Sequence, residues 1–509
     1  MAVILTGGDL TIEEIVRVAR RYEKVSLAPE AEAAVIKARV YVEHKLAGGA
    51  VIYGLTTGFG KFQDTFVPPE NAKTLQRNLI ISHSCGTGNP LPEEVVRAML
   101  VLRVNAVAKG HSGLKLATVQ TMIDMLNFRV TPVVPEKGSL GASGDLIPLS
   151  HMVQTMLGEG EAYYKSRRMS SRDAMKKAGI PTIVLESKEG LALINGTQAM
   201  CAIGALALYD TIELARLSDI LAAMCCEAQL GVTKAFDPKV HAVRGHPGQL
   251  ASAKNITAML TDSSLAREVN PPKVQDAYSI RCAPQIHGGT REALRYIHDL
   301  LGREINAATD NPLIFVDEDE VISSGNFHGQ PVAIALDTLG IAAAELANVS
   351  ERRLERLVNP ALSYGLPAFL CHKGGLNNGF MIAQYSAASM VSENKIYAHP
   401  ASVDSIPSSA NQEDHVSMGT TAARTARMIV DNTRSVLAIE LFAECQALWL
   451  RGVEKLAPAT RAAYDCARNF GIPIVEEDIL MYPEIMKCET LIASGKIIEA
   501  AESVTGKLL

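Results

Sequence analysis

The chain has 509 residues, of which 48% are hydrophobic and 20% charged, so we expect an ordered protein with two lobes or one long helical architecture. Lys and Arg number 49 and Asp and Glu 55, and the formal net charge of −6 excludes the electrostatics of a dedicated nucleic-acid binder. We expect a small-molecule or protein partner instead. Aromatic residues make up only 5%, which suits helix-on-helix packing better than a β-sandwich.

Cysteine usage and the apolar segments predict the compartment. The nine cysteines include no C-x-x-C pair, which is typical of buried thiols in a reducing environment. The N-terminal segment lacks the basic region of a signal peptide and soon contains Asp9 and Glu13. The longest uncharged run, residues 190–209, includes the polar stretch 195–198, which favours a buried segment over a membrane span. We therefore predict a cytoplasmic protein without a membrane partner.

A capping box begins the first predicted helix. Thr11 is followed three residues later by Glu14, and apolar residues then recur at helical spacing. A second helical pattern covers residues 29–47 and ends at Gly48-Gly49. The next stretch, residues 51–66, is rich in Gly and Thr and is predicted to be a loop of the kind that approaches a ligand.

Shorter elements follow before the middle of the chain. Helical patterns cover residues 92–107 and 114–126. The run 131–145 is punctuated by Pro and Gly and cannot form a regular helix. Residues 161–168 are predicted to form a small β element, and the basic cluster beside it is predicted to be a solvated surface.

Long helical patterns dominate the second half. Residues 331–358 carry an apolar stripe, and comparable patterns cover 381–398 and 415–448. We predict a mainly α protein, with an N-terminal lobe over residues 1–185 and a C-terminal bundle of long helices over residues 186–509.

Several familiar catalytic motifs are absent from the sequence. There is no G-x-x-x-x-G-K-[ST] phosphate loop, no G-x-G-x-x-G and no H-E-x-x-H. The 12 histidines show no metal-ligand spacing, and the acidic patch Glu413-Asp414-His415 is not by itself a metal site. Ser143 lies in G-A-S-G rather than G-x-S-x-G, which excludes the nucleophile elbow of serine hydrolases.

Residues 138–145, Gly-Ser-Leu-Gly-Ala-Ser-Gly-Asp, concentrate small side chains that let backbone approach backbone. In a tight turn at Ala142-Ser143-Gly144, the amide nitrogen of Gly144 can reach the carbonyl carbon of Ala142. Closure with loss of two waters leaves a five-membered ring that bears a dehydroalanine methylene from Ser143. That group is an electrophile, which no ordinary side chain supplies. Alone the tripeptide is weak evidence, since chance produces it about once in several proteins of this length.

This segment and six others resemble blocks of the histidine and aromatic amino-acid ammonia-lyase family, in the family's order, over roughly residues 9–450. The other six are Tyr53-Gly-Leu-Thr-Thr-Gly-Phe-Gly60, Glu189-Gly-Leu-Ala-Leu-Ile-Asn-Gly-Thr-Gln198, Val274-Gln-Asp-Ala-Tyr-Ser-Ile-Arg-Cys282, Asp310-Asn-Pro312, Gly325-Asn-Phe-His-Gly329 and Asn411-Gln-Glu-Asp-His-Val-Ser-Met418. The resemblance implies a 4-methylidene-imidazol-5-one (MIO) cofactor made from Ala142-Ser143-Gly144 in the N-terminal lobe, with no metal or nucleotide. It also implies a homotetramer with shared active sites and the long-helix architecture that fumarase and aspartase use.

The resemblance implies roles for individual residues. The tripeptide Ala142-Ser143-Gly144 would supply the electrophile that captures the α-amino group of the substrate. Arg281 would bind the substrate carboxylate through its bidentate guanidinium fork. Tyr53 and Tyr278 are candidates for removing the β-proton and for proton transfer near the amine. Because a phenol has a pKa of about 10, a base role requires neighbours that lower it, and the division of labour between the two stays open.

Five further residues are predicted to bind cofactor or substrate. Asn195 and Gln275 resemble the family amides that hydrogen-bond the ring or the substrate, and Phe327 resembles the residue that packs beside the pocket. His83 can hydrogen-bond a polar ring but resembles both the histidine-acting and the tyrosine-acting members. Glu413 is more informative, because related aromatic lyases usually have Gln there and a carboxylate can bind or deprotonate an imidazole.

The predicted reaction is the non-oxidative elimination of ammonia from L-histidine to give trans-urocanate, the first step of histidine degradation. Thr56 and Ser84 resemble the tyrosine-acting branch, so the nearest alternative is a tyrosine or phenylalanine ammonia-lyase or an aminomutase. A fumarase-type enzyme is a further alternative, but its G-S-S-x-M-P-x-K loop is missing. The alternative from a different class is a helical scaffold without chemistry.

Overall fold

The computed structural model describes residues 2–48 and 52–509. Its contacts divide the chain into two compact units, each of which takes three stretches of sequence. The first unit comprises Met1–Tyr209, His298–Asp337 and Pro400–Arg424, and the second comprises Asp210–Ile297, Thr338–His399 and Thr425–Leu509.

Helices dominate both units, and the prediction of a mainly α protein is confirmed. The α-helices are α1 Ile12–Arg21, α2 Pro29–Ala47, α3 Ala72–His83, α4 Glu93–Ala108, α5 Leu116–Phe128, α6 Leu146–Gln154, α7 Ser171–Ala178, α8 Glu189–Ile194, α9 Gln198–Ala228, α10 Pro238–Ala242, α11 Pro247–Met259, α12 Tyr278–Arg281, α13 Ala283–Glu304, α14 Gln330–Val358, α15 Met381–Tyr397, α16 Gly419–Arg451, α17 Pro458–Asn469, α18 Met481–Ala493 and α19 Lys496–Thr505.

The strands are short and form small sheets. They are β1 Ala2–Leu5, β2 Lys24–Leu27, β3 Thr87–Pro90, β4 Val130–Pro132, β5 Pro135–Lys137, β6 Glu161–Tyr164, β7 Arg167–Ser170, β8 Leu313–Phe315 and β9 Glu320–Ile322. β1 pairs in parallel with β2, and the pairs β3–β5, β4–β6, β6–β7 and β8–β9 are antiparallel. The predicted β element near residues 161–168 is therefore a hairpin joined to a third strand.

The division into units differs from the one predicted along the sequence. Each of α9, α13, α14 and α16 has residues in both units, so no single cut separates them. The predicted boundary between residues 185 and 186 does not follow this interleaved division. As a boundary between folding domains it stays a prediction.

The local signals at the start of the chain act as expected. The Thr11 hydroxyl accepts from the Glu14 amide at 3.2 Å, and the Glu14 carboxylate accepts from the Thr11 amide at 3.0 Å, so the capping box is complete. α2 has the predicted bounds and its C-cap is Gly48. Gly49 and Val51, which belong to the predicted helix stop and loop, lie outside the described residues.

One predicted helix start is wrong. The pattern over residues 415–448 predicts a helix from His415, but α16 begins at Gly419. Met418 has a φ of 54°, and the Val416 amide donates to the Ser405 hydroxyl at 3.1 Å, so the preceding residues are held as a loop. The apolar periodicity continues through that loop, which is why the pattern does not show the boundary.

The uncharged run at residues 190–209 is a buried segment, as predicted, and its residues 190–208 are all buried. α8 ends within it at Ile194, and the C-cap Asn195, with a φ of −90° and a ψ of 96°, separates it from α9. Among the described residues, α14 is the one helix long and apolar enough to cross a membrane. Two-thirds of its most apolar window (67%) is buried, as in the core helix of a soluble protein.

Charged side chains are buried in the core of the second unit. Arg353 Nη2 donates to Glu440 Oε2 at 3.0 Å. Glu444, one helical turn beyond Glu440, is fully buried, and neither of its carboxyl oxygens has a hydrogen-bond partner among the described residues. Burial, together with the neighbouring Glu440, raises the pKa of Glu444 well above its ordinary value. The fold therefore favours the neutral, protonated form of Glu444 over its charged form.

We expect Glu444→Met to increase the free energy of unfolding by about 1–3 kcal/mol at pH 8, because the substitution removes a buried group whose charged form the fold disfavours. The pKa of Glu444 is higher in the folded chain than in the unfolded chain. Its contribution to stability is therefore fully present below the unfolded-state pKa and is lost as the pH rises towards the folded-state pKa. The gain should therefore be smaller at pH 5.5 than at pH 8. Urea unfolding at both pH values measures it, and a loss of stability at pH 8 would contradict this account.

Candidate active site

The tripeptide Ala142-Ser143-Gly144 forms the tight turn that its small residues predict. Ser143 has a φ of 53° and Gly144 a φ of 78°, and the Gly144 amide donates to the Gly141 carbonyl at 3.3 Å. A left-handed backbone is uncommon for a serine and marks a turn that its surroundings enforce. Ser143 is partly exposed, whereas its two neighbours are buried.

The turn is pressed against the break between α8 and α9. A Cβ on Gly144 would lie 2.3 Å from the carbonyl oxygen of Gly196, so only glycine fits there. The Asp145 amide donates to the same oxygen at 2.7 Å. Asn195 Nδ2 donates to the Ser143 carbonyl at 2.7 Å. These contacts leave the Ser143 side chain as the accessible part of the turn.

The buried side chain of Asp145 fixes the position of the turn, a role that was not predicted from the sequence. Its carboxylate accepts from the Met200 amide at 2.8 Å, from the Ser139 hydroxyl at 3.1 Å and from the Thr420 hydroxyl. Burial raises the pKa of Asp145 despite these donors. The signal available in the sequence was its position directly after the tripeptide, but its partners come from distant segments.

Glu413 meets Ser143 although 270 residues separate them in the chain. Ser143 Oγ donates to Glu413 Oε1 at 2.8 Å, and Ser408 Oγ donates to Glu413 Oε2 at 2.9 Å. Backbone hydrogen bonds between Ser408 and Glu413 close the loop that carries the carboxylate. Both carboxylate oxygens are thus held by hydroxyls, and Ser408 is a second residue that sequence reasoning missed.

Tyr53 is held in a geometry that suits a proton donor. The Gly60 amide donates to the Tyr53 hydroxyl oxygen at 3.1 Å, which leaves the phenolic proton free. Burial raises the pKa of Tyr53, the Gly60 amide lowers it, Glu413 raises it, and the net result is a pKa above the ordinary value. The lowered pKa that a base role requires is therefore not supplied by these neighbours.

His83 ends α3 and lies in a partly buried position. Burial lowers the pKa of His83, while the Leu79 carbonyl and Glu413 act in the opposite direction. The imidazole is therefore neutral near pH 7. Its Nδ1 lies 3.0 Å from the Ser82 hydroxyl.

One cavity of about 1300 Å³ in the first unit brings six of the predicted residues together. They are Tyr53, His83, Ser143, Asn195, Phe327 and Glu413. Apolar side chains such as Phe59 and Leu75 line it beside these polar groups. The combination of a mostly apolar wall with a few convergent polar groups is typical of small-molecule sites.

Three predicted residues lie in the second unit and do not line this cavity. Gln275 is exposed in the segment before α12, and Tyr278 and Arg281 begin and end that helix. Tyr278 is 70% exposed. The Arg281 guanidinium lies 4.7 Å from the centre of the Tyr278 ring, a cation–π contact.

The two residues that resemble the tyrosine-acting branch have structural partners. The Thr56 hydroxyl accepts from the Ile52 amide at 3.0 Å, and the Ser84 hydroxyl donates to the Ile80 carbonyl at 2.8 Å. Neither residue lines the cavity. They therefore carry less weight for the choice of substrate than His83 and Glu413, which do.

The family model described as aromatic amino acid lyase matches residues 10–469. The chain belongs to the aromatic amino acid lyase family. Among relatives in this family, a histidine ammonia-lyase of Alkaliphilus metalliredigens is 58% identical over 506 residues, which cover 99% of each chain. A histidine ammonia-lyase of Symbiobacterium thermophilum is 52% identical over 508 residues, which cover 100% of each chain.

Solved structures of this family share the fold. The crystal structure of a histidine ammonia-lyase from Trypanosoma cruzi matches with a TM-score of 0.92 and 42% identity, covering 99% of this chain and 96% of that one. A tyrosine aminomutase from Streptomyces globisporus matches with a TM-score of 0.96 and 35% identity over 100% of both chains. The backbone is thus shared between a histidine ammonia-lyase and a tyrosine aminomutase, so the fold alone does not distinguish them.

Proposed function

We propose that this chain eliminates ammonia from L-histidine to give trans-urocanate. Its family makes it an ammonia-lyase, which removes the alternative of a scaffold without chemistry. Relatives that bear the name histidine ammonia-lyase support the choice of substrate. The observation that carries the proposal is the contact of Glu413 with Ser143, because it brings a carboxylate suited to an imidazole N–H next to the tripeptide.

The cofactor we propose is MIO, made by cyclisation of Ala142-Ser143-Gly144. The residues fit it, since the turn has the required reversal and Gly196 leaves no room for a side chain at Gly144. The ring supplies an electrophilic carbon that captures the α-amino group and makes ammonia a better leaving group. The Ser143 carbonyl is retained on cyclisation, so Asn195 would keep its hydrogen bond to that oxygen and draw electron density towards it.

Protons are handled by the side chains around the tripeptide. Tyr53, with its raised pKa and its oxygen occupied by the Gly60 amide, stays protonated and donates towards the amine as ammonia leaves. Glu413 and His83 bind the imidazole ring of the substrate, and Phe327 packs beside it. Tyr278 is then the remaining hydroxyl candidate for removal of the β-proton.

The residues of the second unit belong to the site through assembly in this proposal. Gln275, Tyr278 and Arg281 would come from neighbouring copies in a homotetramer, where Arg281 binds the substrate carboxylate. Support comes from the uncovered surface of this segment, where Val274 is 89% and Tyr278 70% exposed. We also propose a cytoplasmic location, which suits the nine free cysteines.

The test is an ultraviolet time course of the purified protein with L-histidine and, in parallel, with L-tyrosine. We expect urocanate from L-histidine and, at equal enzyme concentration, much slower formation of coumarate from L-tyrosine. Coumarate alone would overturn the proposal in favour of the tyrosine-acting alternative, which the likeness to a tyrosine aminomutase supports. Analysis of the products for β-tyrosine distinguishes a lyase from an aminomutase.

A further inference from the structure

The hydroxyl of Ser82 contacts both the Leu79 carbonyl and the ring of His83. Ser82 Oγ lies 3.2 Å from the Leu79 carbonyl, to which it donates, and 3.0 Å from His83 Nδ1. A hydroxyl has a single proton. When Ser82 donates to the carbonyl, its oxygen faces Nδ1 as an acceptor, and Nδ1 carries the imidazole proton.

The Leu79 carbonyl also acts on His83. It acts on the His83 side chain as a hydrogen-bond acceptor, which raises the pKa of His83 against the larger lowering by burial. The neutral tautomer with the proton on Nδ1 is the one that the Ser82 contact favours.

The remaining nitrogen, Nε2, then carries a lone pair. No hydrogen bond from the described residues occupies it, and His83 lines the cavity together with Glu413. The cavity consequently contains two acceptors for a ring, one neutral and one a carboxylate. Such a pair is fully matched by the imidazolium form of a histidine ring, which donates two N–H groups, and leaves a ring with only acceptor atoms unpaired.

We propose that Ser82 is a positioning residue that locks His83 in the Nδ1–H tautomer, so that Nε2 accepts a hydrogen bond from the ring N–H of the substrate. This inference rests on the proposed function for the identity of the ring. Ser82 lines the cavity beside His83, but we assign it no direct part in the chemistry. It acts through the orientation and tautomer of its neighbour.

The test compares Ser82→Ala with Ser82→Thr, which keeps the hydroxyl, and with Ser84→Ala as a matched control. Ser84 lies two residues away at the same helix end, but its hydroxyl bonds the Ile80 carbonyl and not His83. Each variant is assayed for kcat and KM with L-histidine. Inhibition by L-3-(2-pyridyl)alanine, whose ring only accepts, is measured alongside, and circular dichroism checks the fold.

For Ser82→Ala we expect the KM for L-histidine to rise about three- to tenfold with kcat little changed, which corresponds to one neutral hydrogen bond. Inhibition by the pyridyl compound should become stronger, because His83 can then present an Nε2–H. A merely structural role would weaken both ligands together. Ser82→Thr and Ser84→Ala should behave as the unsubstituted chain.

Unchanged KM and unchanged pyridyl inhibition in Ser82→Ala would overturn the inference, and so would parallel weakening of both ligands. Failure of the proposed function has a different signature. In that case the unsubstituted chain does not convert L-histidine, and pyridyl inhibition is measured against L-tyrosine turnover. The comparison between Ser82→Ala and Ser82→Thr still tests the tautomer there.

Discussion

Replacing Ser143 with alanine is expected to lower the rate of ammonia elimination on the order of 10³-fold or more, because the electrophile of the proposed reaction is made from this side chain. The helices should be unaffected, because Ser143 is partly exposed and the turn keeps its hydrogen bonds to Gly196 and Asn195. These bonds use the backbone atoms of the turn and not the Ser143 side chain. Urocanate formation followed by ultraviolet absorbance gives the rate, and circular dichroism gives the helicity.

Two measurements make this result specific to the cofactor. The intact mass of the unsubstituted chain should be lower than its sequence mass by two waters, and that of Ser143→Ala should not show the loss of both. Ser84→Ala removes a hydroxyl that contacts only its own helix among the described residues and should retain full activity. Substantial turnover by Ser143→Ala would show that another group provides the electrophile.

Replacing Glu413 with glutamine should lower kcat/KM for L-histidine by about 100-fold, because hydrogen bonds to charged groups are worth roughly 1.5–3 kcal/mol. Glutamine keeps the size of the side chain and an acceptor for the Ser408 hydroxyl, so the loss falls mainly on the carboxylate charge. The low activity with L-tyrosine should change by less than about threefold. The phenol of this substrate donates only one hydrogen bond, and a glutamine side chain still provides an acceptor for it.

The adjacent carboxylate provides the control for Glu413. Asp414 is exposed and does not line the cavity, so Asp414→Asn changes the net charge equally without touching the site. The intact mass of Glu413→Gln shows whether its tripeptide still matures. An equal loss in both variants, or an unchanged preference for L-histidine in Glu413→Gln, would contradict the role of Glu413 in substrate choice.

The protonation of Tyr53 is a point at which the structure revises an expectation. A base role for this tyrosine needs neighbours that lower its pKa, but burial and Glu413 raise it and only the Gly60 amide opposes them. Glu413 also acts on His83, where it opposes the larger lowering of the pKa by burial. For this reason we assign Tyr53 to proton donation.

The sequence predicted the ends of those helices that are set by contacts between neighbouring residues. The capping box at Thr11 and the proline at the start of α2 involve contacts within one helical turn, and both helices begin where these residues predict. The start of α16 differs from the prediction because the Val416 amide donates to the Ser405 hydroxyl, 11 residues away, and the Met418 amide donates to the Leu140 carbonyl. A contact of that kind leaves no periodic signal in the sequence.

The sequence by itself determined the mainly α fold, the strained turn at Ala142-Ser143-Gly144 and the reaction class, because helix periodicity, small residues and the ordered motifs are properties of short segments. Only the tertiary structure decided three hydrogen bonds of the site: Ser143 to Glu413, Asn195 to the Ser143 carbonyl, and the Met200 amide to Asp145. It also decided the pKa directions of Tyr53 and His83. These depend on burial and on charges from distant segments, and their free energies arise only when the chain excludes water around them.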